Sequence, residues 1–411
     1  MKFQKEIFLT LSIVWPLLLG MFMVMVGSGL QGTLLSLRAD FEGFPLAVIG
    51  IIMSMYYVGY LGGWYIVPTM INKVGYIRVF SGFASMASTT VLLQGVFINP
   101  FAWAIVRFMS GVSFVGLFIV AESWLNDIAP NRLRGRIFSS YMLVVHGGLF
   151  AGQFLINLAP IQNIGLFVLV SVLVSLSLIP VTLASKVSEF YEEPESLEFK
   201  KVIGISQHAV MAVLVAGFSG ASMLAIGPVY AAQLGFAIGD ISIFLASFIL
   251  GCATLPLFAG WLSDRFGRRI VLIGAALIGT LVTGINIFST DLLLVSAYIF
   301  GGCITSCYSV AIAMMNDRLK PKQRTSATAS LILINGMSSC IGPVLIGGLM
   351  QVFGPHAFFV SFTIALATLF IFGVYRKKVG KEDVDIEEQG EFQVIAPRAS
   401  PTAAQLKDLG K

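Results

Sequence analysis

Glu122 is an acidic residue set inside a long apolar run and away from any loop of the 411-residue chain. A carboxyl in such a place either moves protons or is neutralised by a fixed partner. Arg107 lies on the same run, fifteen residues earlier. That is about 22 Å along a helix, too far to pair. His146 is better placed. It falls near mid-depth of the next run, roughly 14 Å from its start, and Glu122 lies about 8 Å from the end of its own run. Imidazole titrates near neutrality, so a Glu122–water–His146 relay is one reading. The other is structural: Glu122 pairs with Arg134 or Arg136, or accepts from backbone N–H groups where the fifth helix begins. His146 is then a hydrogen-bonded core histidine.

A second set of residues could hold a ligand. Arg107 is costly in lipid and is expected to face the interior, against an anionic group or the carbonyls of the first helix. Tyr56, Tyr60 and Trp64 recur every four residues, a stripe that lines a cavity or packs helices. Gln31, Gln153 and Asn335 are sparse polar groups in apolar runs, available to hydrogen-bond a substrate. In "GWLSDRFGRR" (Gly260–Arg269), Gly267 suits a tight turn, and Asp264 can accept from a helix N-terminus or from an arginine.

The elements that position these groups must be membrane helices. Hydrophobic residues make up 57% of the chain and charged ones only 11%, against roughly 25% charge in soluble domains. The mean hydropathy is +0.88. The net charge of +5 therefore reports loop orientation, not nucleic-acid affinity. Spans of about 20 apolar residues are needed. Twelve are expected, near 8–36, 46–71, 78–97, 100–125, 137–160, 164–185, 207–234, 240–262, 269–289, 292–316, 326–352 and 356–375. The first is read as a retained helix, since its apolar stretch is too long for a signal peptide. With the N-terminus in the cytosol, 24 of the 26 Lys and Arg face inward, all but Arg38 and Arg107. Both termini are then cytosolic.

The chain also repeats itself. "GTLLSLRADF" matches "GPVYAAQLGF", "NKVGYIR" matches "DRFGRRI", and "NDIAPNRLR" matches "NDRLKPKQR", at nearly constant offset. This predicts an all-α integral membrane fold of two parallel-repeat six-helix bundles: 1–185 and 207–375, with a charged linker over 186–206 and a disordered cytosolic tail over 376–411. Asn126, Asp127 and Arg134 recur as Asn316, Asp317 and Arg324, which marks them as architecture. Position 122 has Ile312 as its counterpart, so the repeat does not explain Glu122.

"GWLSDRFGRR" resembles the cytoplasmic loop motif of the major facilitator superfamily, and Arg107-x-x-x-Gly111 resembles its second motif. "GTLLSLRADFEGF", "ESWLN" with "RGR" and "SSYM", and "GPVYA" are similar to the YcaD-like group of bacterial permeases. The resemblance implies the major facilitator fold over roughly residues 10–375. It also implies a latch on the cytosolic face made by Asp264, Arg265, Gly267, Arg268 and Arg269. The first half departs from the motif, with Asn72 in place of the aspartate.

No zincin, P-loop, triad or carboxylate dyad is present, so neither an enzyme nor an ATP-driven pump is expected. Cys252, Cys303, Cys307 and Cys340 lie in apolar runs without metal-ligand spacing. No cofactor or metal is expected. The reading is a secondary active transporter of the bacterial inner membrane, working by alternating access and coupled to protons, with efflux of an uncharged or amphiphilic compound favoured. Two alternatives stand: uptake of a polar metabolite or organic acid, and a non-transporting sensor or scaffold on the same fold. The expected partners are a small molecule, a proton and the lipid bilayer, with no nucleic acid, and the chain is expected to be a monomer.

Overall fold

The computed structural model describes residues 2–129, 133–183, 199–379, 389–390 and 392. Every regular element among them is helical. The physical reason is that lipid offers backbone groups no hydrogen bonds, so a helix must satisfy its own. Among the described residues, twelve helical stretches are long and apolar enough to cross a membrane.

The first half holds α1 (Lys2–Phe41), α2 (Leu46–Val74), α3 (Tyr76–Val96), α4 (Pro100–Ile128) and α5 (Arg134–Phe154), then α6 (Gly165–Leu176) and α7 (Leu178–Thr182), which together make one span. A short α8 (Phe199–Ile205) occupies the end of the expected linker. The second half holds α9 (Gln207–Gln233), α10 (Ile238–Phe266), α11 (Arg268–Phe288), α12 (Leu293–Asn316), α13 (Pro321–Phe353) and α14 (Ala357–Val379). The first span is Val14–Phe41, so it ends later than composition suggested. Arg38 sits in its last turn. It donates to Ile161 O at 2.9 Å and pairs with Glu42 at 2.7 Å.

Glycines set the helix pairing, because they let backbones touch. A Cβ on Gly59 would strike Phe108 O, and one on Gly111 would strike Tyr56 O, which seats α2 on α4. Gly251 against Tyr298 O and Gly301 against Phe248 O do the same for α10 and α12. Gly251 follows Gly59 by 192 residues and Gly301 follows Gly111 by 190, so the sequence repeat is also a repeat of contacts. Gly148 and Gly152 bring α5 onto α1 at Phe22, Met25 and Val26. In "GPVLIGG", Gly342 meets α9 at Phe218, whereas Pro343 and Gly347 meet α2 at Gly50 and Leu46.

The two halves touch along α2–α13, α5–α10 and α1–α9. One end of the bundle carries Lys73, Arg78, Arg265, Arg268, Arg269, Arg318 and Arg324 and is called here the basic face. Hydrogen bonds between the halves cluster toward the opposite face: Ser36 Oγ to Ala225 O at 2.6 Å, Asn157 Nδ2 to Ser242 Oγ at 3.2 Å, and Ala47 N to Gln351 Oε1 at 3.0 Å.

Candidate functional site

Between the halves lies a solvent-open cavity whose empty space, open solvent included, is about 1000 Å³. Tyr56, Tyr60 and Trp64 of α2 form one wall, with His146 of α5 beside them. The second half answers with Phe248, Cys252, Thr305 and Asn335, among others. No Lys, Arg, Asp or Glu is among the described lining residues. Trp64 also packs against Ala329, Ile332 and Leu333 of α13, so the stripe both lines the cavity and joins the halves.

His146 is held by its own helix. Nδ1 lies 2.9 Å from Met142 O, and a carbonyl only accepts, so Nδ1 carries the hydrogen. Nε2 is then the ring atom that can gain or lose a proton. Asn335 uses Nδ2 to hold Val213 O of α9 at 3.1 Å.

Arg107 lines a second, smaller cavity, of about 370 Å³ with its open solvent included, together with Ser28 and Gly32 of α1. Tyr56, Tyr57 and Leu224 border both cavities. Arg107 is buried, and its guanidinium stands 4.7 Å over the Tyr56 ring. Gly111, one turn further along α4, permits the α2–α4 approach that places it there.

Gln31 and Gln153 line neither cavity. Gln31 Nε2 donates to Gln94 Oε1 at 3.4 Å and ties α1 to α3. Gln153 Nε2 donates to Gly29 O at 2.9 Å while its Oε1 accepts from Thr33 at 2.7 Å, so it ties α5 to α1. Buried amides are costly unless bonded, and here the nearest partners belong to the neighbouring helix.

Glu122 is fully buried. Its donor from α5 is the hydroxyl of Tyr141, at 3.3 Å. Arg136, one of the expected partners, is exposed, and the side chain of Arg134 lies outside the described residues. Tyr141 precedes His146 by five residues, about 7.5 Å along the axis. The α4 and α5 helices barely touch, since α5 packs mainly on α1 and α10. Tyr308 of α12, fully buried, lies within electrostatic reach of Glu122 from the other half. Sequence reasoning missed both tyrosines. Tyr141 lies within "SSYM", a stretch already singled out, but nothing local marks it as facing a carboxylate.

On the basic face, Gly267 (φ +89°) breaks the chain between α10 and α11, as Gly75 (φ +82°) does between α2 and α3. Only glycine adopts such angles cheaply. Arg268 is buried and bonds to Ser263 Oγ at 2.6 Å, to Asp264, and to Asp317 Oδ2 at 3.2 Å. Arg265 lies outside this set, over the rings of Trp261 (5.8 Å) and Phe266 (5.7 Å). Arg269 is buried.

The family model described as Major Facilitator Superfamily matches residues 209–406. The uncharacterized MFS-type transporter YcaD of Escherichia fergusonii is 23% identical over 349 residues, covering 84% of this chain and 91% of that one. The chain is similar to the major facilitator superfamily over its second half and to YcaD-type members of it over most of its length. Solved structures share the fold. A bacterial homolog of the human lysosomal transporter Spinster, inward-facing and occupied, gives a TM-score of 0.77 at 13% identity, covering 92% of this chain and 98% of that one. The nucleoside transporter NupG gives 0.75 at 13% identity, covering 89% and 99%. The proteins it resembles are transporters, and twelve helical stretches among its described residues are long and apolar enough to cross a membrane.

Proposed function

We propose that this permease exports an uncharged or amphiphilic small molecule across the bacterial inner membrane, driven by protons, with both termini in the cytosol. The carrying observation is the cavity: aromatic, reached from both halves, and with no Lys, Arg, Asp or Glu in its described lining. Such a surface favours flat or apolar cargo and offers a fixed ionic partner to none. His146 Nε2 and the buried Glu122–Tyr141 pair are the proton-handling candidates. Because α4 and α5 scarcely touch, the relay runs through Tyr141 and water, not by direct contact of Glu122 with His146. The predominance of Lys and Arg on the basic face supports placing that face in the cytosol.

Purified protein in proteoliposomes, with a pH gradient and a panel of apolar and amphiphilic compounds, tests the reading. Wild type should move a member of the panel. Glu122→Gln should lose gradient-driven movement and keep exchange at equal pH. Unchanged gradient-driven transport in Glu122→Gln removes the coupling role. If no compound binds or moves while anionic metabolites do, uptake through the Arg107 cavity is the better reading, since that cavity adjoins the main one through Tyr56.

A further inference from the structure

Three residues of the C-terminal tail are seated on the basic face. Gly390 O accepts from Arg268 Nη2, and Gly390 N donates to Asp317 Oδ1 at 3.0 Å. One residue thus satisfies both members of a buried ion pair with its own backbone. Phe392 completes the contact. Its ring lies against Gly260, with no room for a Cβ, and Arg268 stands 5.7 Å over it. Gln389, Gly390 and Phe392 are all half-buried. The contacted groups come from the end of α10, the start of α11 and the end of α12.

Three further facts make this a cis contact with chemical specificity. Residues 380–388, between the end of α14 and Gln389, can extend about 30 Å, enough to return to the same face. Residues 381–392 hold six acidic residues and one lysine, opposite loops rich in arginine and lysine. The tether gives the segment an effective concentration that a free peptide lacks.

We propose that Gln389, Gly390 and Phe392 form a removable clasp. Seated, the clasp binds α10, α11 and α12 into one rigid joint and favours the conformation described here, in which the halves are hydrogen-bonded at the opposite face. Whatever binds one conformation better than another shifts the population toward it. Arg268 and Asp317 also give bonding capacity to Gly390 that is then withheld from any group of the first half. Release of the tail loosens the joint and lets the basic ends of the two halves approach. The proposal concerns control of the cycle and holds for any cargo.

Hydrogen exchange of the full chain in nanodiscs reads the joint directly. Phe392→Ala, Gly390→Pro and a chain ending at Val379 should each speed exchange of the amides in residues 260–270 by about tenfold. A synthetic peptide of residues 381–396 should restore protection to the shortened chain. Spin labels at Lys73→Cys and Gln323→Cys, in a background lacking the native cysteines, read the approach of the halves. A second, shorter distance should appear when the clasp is lost and shrink when the peptide is added. Equal exchange with and without the tail overturns the clasp. Faster exchange with an unchanged distance distribution overturns its control of the cycle. Unlike the transport assay, neither measurement needs the cargo, so failure here and failure of the proposed export are separate results.

Discussion

Arg268 and Asp317 meet at 3.2 Å with both side chains buried, 3% and 4% exposed, at the joint where α11 begins and α12 ends. At the equivalent joint of the first half, the Tyr76 hydroxyl donates to Asp127 at 2.8 Å, and Asp127 is exposed. Position 76 precedes 268 by 192 residues and 127 precedes 317 by 190. One fold position thus carries an exposed aspartate bonded to a tyrosine in one half and a buried aspartate paired with an arginine in the other.

That contrast predicts unequal costs. Asp317→Ala removes the buried partner of Arg268 and leaves its guanidinium only the half-exposed Asp264 as counter-charge, so it should destabilise by about 2–3 kcal/mol. Tyr76→Phe removes a bond to an exposed carboxylate and should cost about 1 kcal/mol or less. Asp264, 48% exposed, contributes a screened pair, so Asp264→Asn should cost about 0–1 kcal/mol. Thermal unfolding of the detergent-solubilised variants checks the order Asp317 > Tyr76 and Asp317 > Asp264. Equal losses for all three would remove the argument from burial.

Glycine contacts give a second prediction. Gly111→Ala places a methyl in the carbonyl of Tyr56 and must part α2 from α4, at a cost of about 1–3 kcal/mol. Gly147 has open space where its Cβ would go. Gly147→Ala should be neutral or stabilise by about 0.5–1 kcal/mol through helix propensity. The unfolding midpoint should fall for Gly111→Ala and stay level or rise for Gly147→Ala.

The fold was legible because lipid allows little choice. Apolar run length set the twelve spans, and the spacing of "NDIAPNRLR" and "NDRLKPKQR" exposed the repeat before any contact was known. The site was less legible because its partners come from distant helices. Gln31 and Gln153 look like cavity residues along the chain, yet each spends its amide on a neighbouring helix. Tyr141 gains its meaning only when α5 is laid near the end of α4. Gly390 and Phe392 read as part of a polar tail, and composition holds no signal that a glycine's backbone will match an ion pair.

Tyr141→Phe keeps the ring and removes the donor to Glu122. The loss should be about 1.5–3 kcal/mol if the carboxyl is charged and about 1 kcal/mol if it is protonated. Unfolding measured at two pH values separates the cases, because only a carboxyl that titrates makes the cost depend on pH. A cost that is the same at every pH would mean Glu122 never changes its charge in this conformation.

Cavity and packing roles separate through Tyr60 and Gln153. Tyr60→Ala removes a ring from the cavity wall, where it also faces Phe118 at 6.5 Å. Gln153→Ala leaves the Thr33 hydroxyl and Gly29 carbonyl without their bonds to the amide, which lines neither cavity. Gln153→Ala should therefore cost about 1–3 kcal/mol of stability and leave ligand affinity unchanged. Tyr60→Ala should weaken binding of a cavity ligand about tenfold or more, since a buried aromatic contact contributes beyond its area. Ligand-induced shifts in melting temperature, read against each variant's own baseline, distinguish the two effects by mass action. A Gln153→Ala protein that loses the ligand-induced shift while keeping its melting temperature would return Gln153 to the cavity wall.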